Sequence, residues 1–284
     1  MSIQIIIDSA CDMTKEEAER NDLMFLPLRT NIDGTTYLDG VTVTHEKFYE
    51  MLAACSQMPI TSQLTPYDYI DAFKTALQKH DEILVITLSS ALSGTYQSAV
   101  FAARESGCRI HIVDSLNASV GEQVLIRYAL QLRDRGMNAK EIADALEQVK
   151  GRIVLLGVVD TLEYLLKGGR ISKVSAFAGT MMKIKPILGL DDGRIVSLGK
   201  AHGAKQSCSN LNRLIEEKGG IDFTMPVMLG FSGKDDSHLQ AYIESSRSIW
   251  ADYIDKLPVC TIGSSIGTHT GPGTIVFGFF AKQQ

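Results

Sequence analysis

A β-branched run at residues 3–7 opens the chain and predicts a strand covered on both faces. Thr14, with Glu17 three positions on, makes a capping box, so a helix starts there. Residues 25–32 read as a second strand, and Asp33-Gly34 and Asp39-Gly40 are turn pairs bracketing a short ribbon. Thr65-Pro66 then supplies an N-cap hydroxyl and a proline at the first helical position. Behind it Tyr69, Ile70, Phe73, Ala76 and Leu77 keep one apolar face at helical spacing. Strands at 83–88 and 110–113 alternate with helices at 94–105 and 121–135, and Asn138 with Glu141 caps one more helix. This alternation predicts a parallel sheet with helices on both faces.

The patterning changes near residue 151. Residues 153–159 form an apolar strand, and the short helix after it stops at Gly168-Gly169. Asp192-Gly193 sits between two strand-like runs, which is a hairpin signal and not a crossover. Two helices flank a strand at 225–231, and the tail reads as strand, glycine-rich loop, strand over 259–280. The predicted fold class is α/β. It comprises a Rossmann-like, three-layer α/β/α domain with a parallel sheet at 1–150 and a smaller α+β domain with a mixed sheet at 151–284.

Composition narrows the function classes. With 284 residues, 45% hydrophobic and 21% charged, the chain is neither disordered nor fibrous. Its 28 basic against 33 acidic residues give a net charge of −5 and no nucleic-acid footprint. Cys11, Cys55, Cys108, Cys208 and Cys260 are scattered with no CxxC pair, which argues against structural zinc and against a disulfide framework. The apolar runs are too short to span a bilayer, so no stable membrane insertion and a cytoplasmic location are expected.

Ligands of open parallel sheets bind beyond the carboxyl ends of the strands. Here those ends carry Asp8-Ser9, Thr61-Ser62-Gln63, the stretch Ser89 to Thr95, and Asp114-Ser115. Hydroxyls and free amides at helix starts suit an anion, and Gly94 would let a ligand oxygen approach the backbone. Ordinary helix capping is the better account of any one of these loops, and anion binding draws level with it only for several on one edge. Neither GxGxxG nor GxxxxGK[ST] occurs, so a nucleotide or dinucleotide cofactor is not expected. The stretch 263–267 matches the GxSxG hydrolase elbow, but an elbow needs a helix directly after its serine and this segment reads as loop. An acid between serine and histidine is also wanted, and none lies there. His269, in the same loop, either caps a carbonyl or touches a ligand, and Met181-Met182 are either core or pocket lining.

Seven stretches together resemble the DegV family of bacterial lipid-binding proteins. They are IIIDSACDMT near the start, ITSQLTPYDYIDAF at 60–73, ITLSSALSGTYQSA at 86–99, VDSLNASVGEQ at 113–123, TLEYLLKGGRIS at 161–172, IKPIL at 184–188 and IGTHTGPGTI at 266–275. The resemblance implies a non-enzymatic subunit of a fatty acid kinase. Such a subunit holds a long-chain fatty acid between and within its domains and presents the carboxyl group to an ATP-dependent partner that makes the acyl phosphate. By the same resemblance Thr61, Ser93 and His269 bind the carboxylate, Gly94 supplies an amide and Ser62 is adjacent. Arg170 is implied to be an exposed residue that docks the kinase. Where the family often carries a further arginine, this chain has His202, which brings no permanent guanidinium charge. The rival readings are a stand-alone carrier or sensor of another anionic amphiphile, and a free-standing hydrolase or small-molecule kinase.

Overall fold

The computed structural model describes residues 2–171 and 184–283; Met181 and Met182 lie outside the described residues. Strand Ile3–Asp8 lies between Leu23–Leu26 and Glu82–Thr87, with Ile110–Asp114 beyond the latter, and all four are parallel. Their side chains alternate between two cores. Ile6, Ile83 and Val85 pack on Tyr69, Phe73 and Ala99 from helices Pro66–Ala76 and Thr95–Ser106. Ile5, Ile7, Leu84 and Ile86 pack on Val124, Leu125 and Ile142 from helices Val120–Asp134 and Ala139–Val149. Burial on both faces is why these strands read as apolar runs. Reciprocal capping boxes, Thr65 with Asp68 and Asn138 with Glu141, start two of the covering helices.

The expected strand at 25–32 is two strands. Leu23–Leu26 belongs to the parallel sheet, whereas Arg29–Ile32 pairs antiparallel with Thr35–Leu38 and Ile60–Ser62 in a separate three-stranded sheet. Pro27 lies at the break. It has no N–H to carry the ladder on, and the next amide, Leu28 N, donates to Ser9 Oγ at 3.0 Å.

Six strands form the second sheet, in the order Arg194–His202, Ile184–Asp191, Ile153–Val158, Ile275–Phe280, Val227–Phe231, Val259–Thr261. Neighbours are antiparallel except the last pair, so the sheet is mixed, and Asp192-Gly193 turns the expected hairpin. One face buries Trp250, Tyr242, Phe277 and Phe279. Val276, Phe280 and Met228 on the other face pack in the core that contains Val120 and Val124. Helix Val120–Asp134 therefore has a sheet on each side. Gly278 permits this, because a Cβ there would stand 2.6 Å from Val120 O.

A second difference bears on function. The segment read as a glycine-rich loop contains a helix, Ser264–Thr270. Its cap comes from far away in sequence. Asp39 Oδ1 accepts from Ser264 N at 2.7 Å and Asp39 Oδ2 from Ser265 N at 3.2 Å, while Asp12 Oδ1 accepts from Gly263 N at 2.8 Å. No local signal marks this start, because the residues that satisfy the orphan amides are not adjacent to them.

Candidate functional site

The carboxyl edge of the parallel sheet faces the second sheet across a cavity of about 960 Å³, open mouth included. Its wall is mainly apolar, with Leu28, Leu92, Leu155, Leu188, Ile195 and Ile262 among the contributors. Thr61, Ser62, Ser93, Arg170 and His269 also line it.

Hydrogen bonds, packing contacts and chain neighbours together link these polar residues in a ring. Thr61, placed opposite Thr30 by the three-stranded sheet, has its Oγ1 2.8 Å from His269 Nε2. The His269 ring rests on Gly168, where a Cβ would collide with Nδ1. Arg170, just after, donates from Nη1 to Gly168 O at 2.7 Å and from Nε to Leu92 O at 3.3 Å. Ser93 follows Leu92, and its Oγ lies 2.9 Å from Thr95 Oγ1 and accepts from Thr95 N at 3.3 Å. Gly94 does not line the cavity. The space its Cβ would fill is taken by the Gln63 carboxamide, which leads back through Ser62 to Thr61.

Burial, and secondarily the Arg170 charge, push the His269 pKa down to about 4. The imidazole is therefore neutral near pH 7. In the tautomer protonated at Nε2 it donates to Thr61 Oγ1, which leaves the Thr61 hydroxyl proton free to meet an anion. A buried guanidinium is costly without a counter-charge, and desolvation lowers the Arg170 pKa. Arg170 is thus half-buried at the cavity wall, not the freely exposed docking residue that the resemblance implied. His202 is exposed at the end of strand Arg194–His202, with its amide on Gln206 Oε1 at 2.6 Å, and is not part of the cavity wall.

The remaining strand-end polar groups hold loops. Asp8 accepts from Ala10 N at 3.0 Å and from Leu88 N at 2.9 Å, and Asp114 accepts from Ser90 N at 3.1 Å. Ser89 Oγ donates to Gly193 O at 2.8 Å, which ties the loop bearing Ser93 to the hairpin of the second sheet. Desolvation raises the Asp8 pKa to about 7. Ser9, Ser89 and Ser115 hold loops as well, but none is a helix N-cap: Ser9 Oγ accepts from Leu28 N at 3.0 Å, Ser89 Oγ from Ala91 N at 3.2 Å and Ser115 Oγ from Asn117 N at 3.0 Å.

The GxSxG match needs correction on one point, since a helix does follow Ser265. Hydrolase chemistry still lacks its activation. His269 is bonded to Thr61, Asp39 is committed to the helix amides, and Ser265 Oγ has no partner among the described residues. Asp39 and Asp12 were missed from sequence. Asp39 read only as half of a turn pair, and neither it nor Asp12 has a local pattern that points to residues 263–265.

The sequence profile of the family described as "Uncharacterised protein, DegV family" matches residues 2–282. A DegV domain-containing protein of Caldanaerobacter subterraneus subsp. tengcongensis is 32% identical over 274 residues, covering 95% of each chain. Another, from Clostridium perfringens, is 33% identical over 288 residues, covering 97% of this chain and 96% of the relative. Among solved structures, a fatty-acid-binding DegV family protein from Thermus thermophilus superposes with a TM-score of 0.88 at 29% identity, over 99% of this chain and 100% of that one. DegV of Bacillus subtilis, a fatty acid binding protein, gives 0.83 at 26% identity over 99% and 100%. Matched over almost its whole length by the family profile, by these relatives and by the fold, the chain belongs to the DegV family.

Proposed function

We propose that this protein binds a long-chain fatty acid, with the carboxylate at the ring formed by Thr61, Ser62, Ser93, Arg170 and His269 and the tail in the apolar cavity. The observation that carries the reading is a single cavity that joins a hydrogen-bonding ring to an apolar wall. Fatty-acid-binding relatives of the same fold support it. Gly94 then acts by making room for Gln63 beside the ring. A chain of about fifteen methylenes gains roughly 12 kcal/mol gross on burial at ~0.8 per CH₂. Desolvating the carboxylate costs several kcal/mol, which hydrogen bonds to charge of about 1.5–3 kcal/mol each offset. The tail supplies the affinity and the ring selects the head group.

In the same reading the protein is a non-enzymatic subunit that presents the carboxyl group to an ATP-dependent fatty acid kinase. A carboxylate oxygen attacks the γ-phosphorus of the kinase-bound ATP, ADP leaves, and an acyl phosphate forms. This chain has no phosphate-binding loop to do so itself, and it needs no cofactor of its own. Arg170 acts on the carboxylate from the cavity side, and His202, exposed, is the candidate kinase contact. Two units, 1–150 and 151–284, enclose the ligand between them. No described helix is long and apolar enough to cross a membrane, and we place the protein in the cytoplasm.

Mass spectrometry of a denaturing extract tests the lipid step. About one long-chain acid per chain is expected, and delipidated protein should take up hexadecanoic acid. A protein that carries none and takes up none refutes the reading. Incubating loaded protein with a kinase from its own cell and ATP tests the second step, through acyl-phosphate formation.

A further inference from the structure

Among the described residues, two polar atoms of cavity-lining side chains are buried without a hydrogen-bond partner: His269 Nδ1, against Gly168, and Ser265 Oγ. Ser265 is only 5% exposed. It precedes His269 by four positions on helix Ser264–Thr270, so the two share a face and stand one turn apart, about 6 Å along the axis. Ile262 and Ile266 beside it are apolar cavity wall. Within an apolar channel a buried hydroxyl is costly to leave unpaired.

Three other hydroxyls of the wall are engaged. Ser119 Oγ donates to Asp12 Oδ2 at 2.5 Å, Thr270 Oγ1 to Ile266 O at 3.2 Å, and Thr274 Oγ1 to Thr270 O at 3.3 Å. A water between Ser265 Oγ and His269 Nδ1 would have those two polar partners, the fewest that hold buried water. A polar group on the ligand is the better match.

We propose that Ser265 is a second hydrogen-bonding position for the bound acyl chain, selecting chains that carry a hydroxyl near the carboxyl end. This rests on the fatty-acid reading above and adds a substrate class to it. A chain anchored at Thr61 and His269 passes Ser265 within its first several methylenes, so the selected hydroxyl lies toward the carboxyl end and not toward the methyl end.

The test uses delipidated full-length protein and calorimetric titration with hexadecanoic acid and a positional series of its monohydroxy derivatives. One isomer hydroxylated toward the carboxyl end should bind at least about five-fold tighter than the unsubstituted acid. Ser265→Ala should abolish that advantage while binding hexadecanoic acid as tightly as the parent or tighter. Ser265→Cys, close to serine in size and a much weaker hydrogen-bond donor, should lose most of that advantage and guards against a cavity effect in the alanine variant. The proposal is overturned if no isomer gains over the plain acid, or if the gain survives in both variants. Should hexadecanoic acid itself fail to bind the parent, the fatty-acid reading falls and takes the proposal with it.

Discussion

Asp39 and Ser264, 225 positions apart in sequence, meet at 2.7 Å, carboxylate oxygen to backbone amide, and this contact starts the helix that carries His269. Asp39 also accepts from Ser264 Oγ at 2.8 Å and from Ser265 N at 3.2 Å, with no exposure of its own. Asp39→Ala leaves those buried donors unpaired and should destabilise the protein by about 3 kcal/mol. Urea unfolding of the lipid-free variant against the parent measures this. An unchanged midpoint would mean that the helix starts without its cap.

Thr61→Val and His269→Ala each break the 2.8 Å contact at the ring. Each should weaken hexadecanoate binding by about 1.5–3 kcal/mol, as expected for a hydrogen bond to charge. Binding of hexadecanol, which brings no carboxylate, should change less. Calorimetry with both ligands separates the head-group effect from damage to the channel.

His269 titrates near pH 4 instead of 6.5, because burial disfavours its charged form. Fatty-acid affinity should then show no His269 titration between pH 6 and 8, its unperturbed value being about 6.5. Stability follows the same shift. Between 6.5 and about 4 the unfolded chain takes up the proton and the folded one does not, so this contribution is full above pH 6.5 and is lost as pH falls. Denaturation of parent and His269→Gln across that range should show the parent losing more stability.

Asp8 acts with the opposite sign. Its pKa is raised from 3.8 to about 7, so the folded state keeps a proton that the unfolded chain has already released. That contribution is complete below pH 3.8 and fades as pH rises through about 7. Asp8→Asn, neutral at every pH, should flatten this fall. A variant with the parent's slope between pH 4 and 7 would show that Asp8 is ionised throughout.

Arg170→Ala removes the guanidinium that bridges Gly168 O and Leu92 O at the ring. Lower hexadecanoate affinity is expected, together with slower acyl-phosphate formation in the presence of a kinase. His202→Arg changes an exposed residue outside the cavity wall and should leave lipid affinity unchanged while altering the rate with the kinase. Equal lipid affinity in parent and Arg170→Ala would return Arg170 to a docking role alone.

Local chemistry made much of the fold legible. The parallel strands read as apolar runs because both their faces are covered, and Thr65-Pro66 and Asn138 with Glu141 announced their helices because each capping partner lies three residues away. Asp192-Gly193 marked the hairpin because a tight turn needs a backbone that few other residues adopt. Thr61, Ser93 and His269 stood out as small hydroxyls at strand ends and as a histidine among small residues, and the family resemblance drew them together.

Tertiary structure alone decided what those residues do. Ser9, Ser89 and Ser93 look alike in sequence, yet Ser9 and Ser89 tie their loops to Leu28 and Gly193 while Ser93 lines the cavity, since distant neighbours determine what each hydroxyl faces. The break after Leu26 was written locally in Pro27, but the separate sheet that receives Arg29–Ile32 was not. Helix Ser264–Thr270 could not be read at all from its own residues, because its cap comes from Asp39 and Asp12. Sequence thus determined which segments are apolar, which turn and which cap themselves, all short-range properties of the chain. Burial, pKa and the company of each polar atom were decided by packing, which brings together groups more than two hundred residues apart.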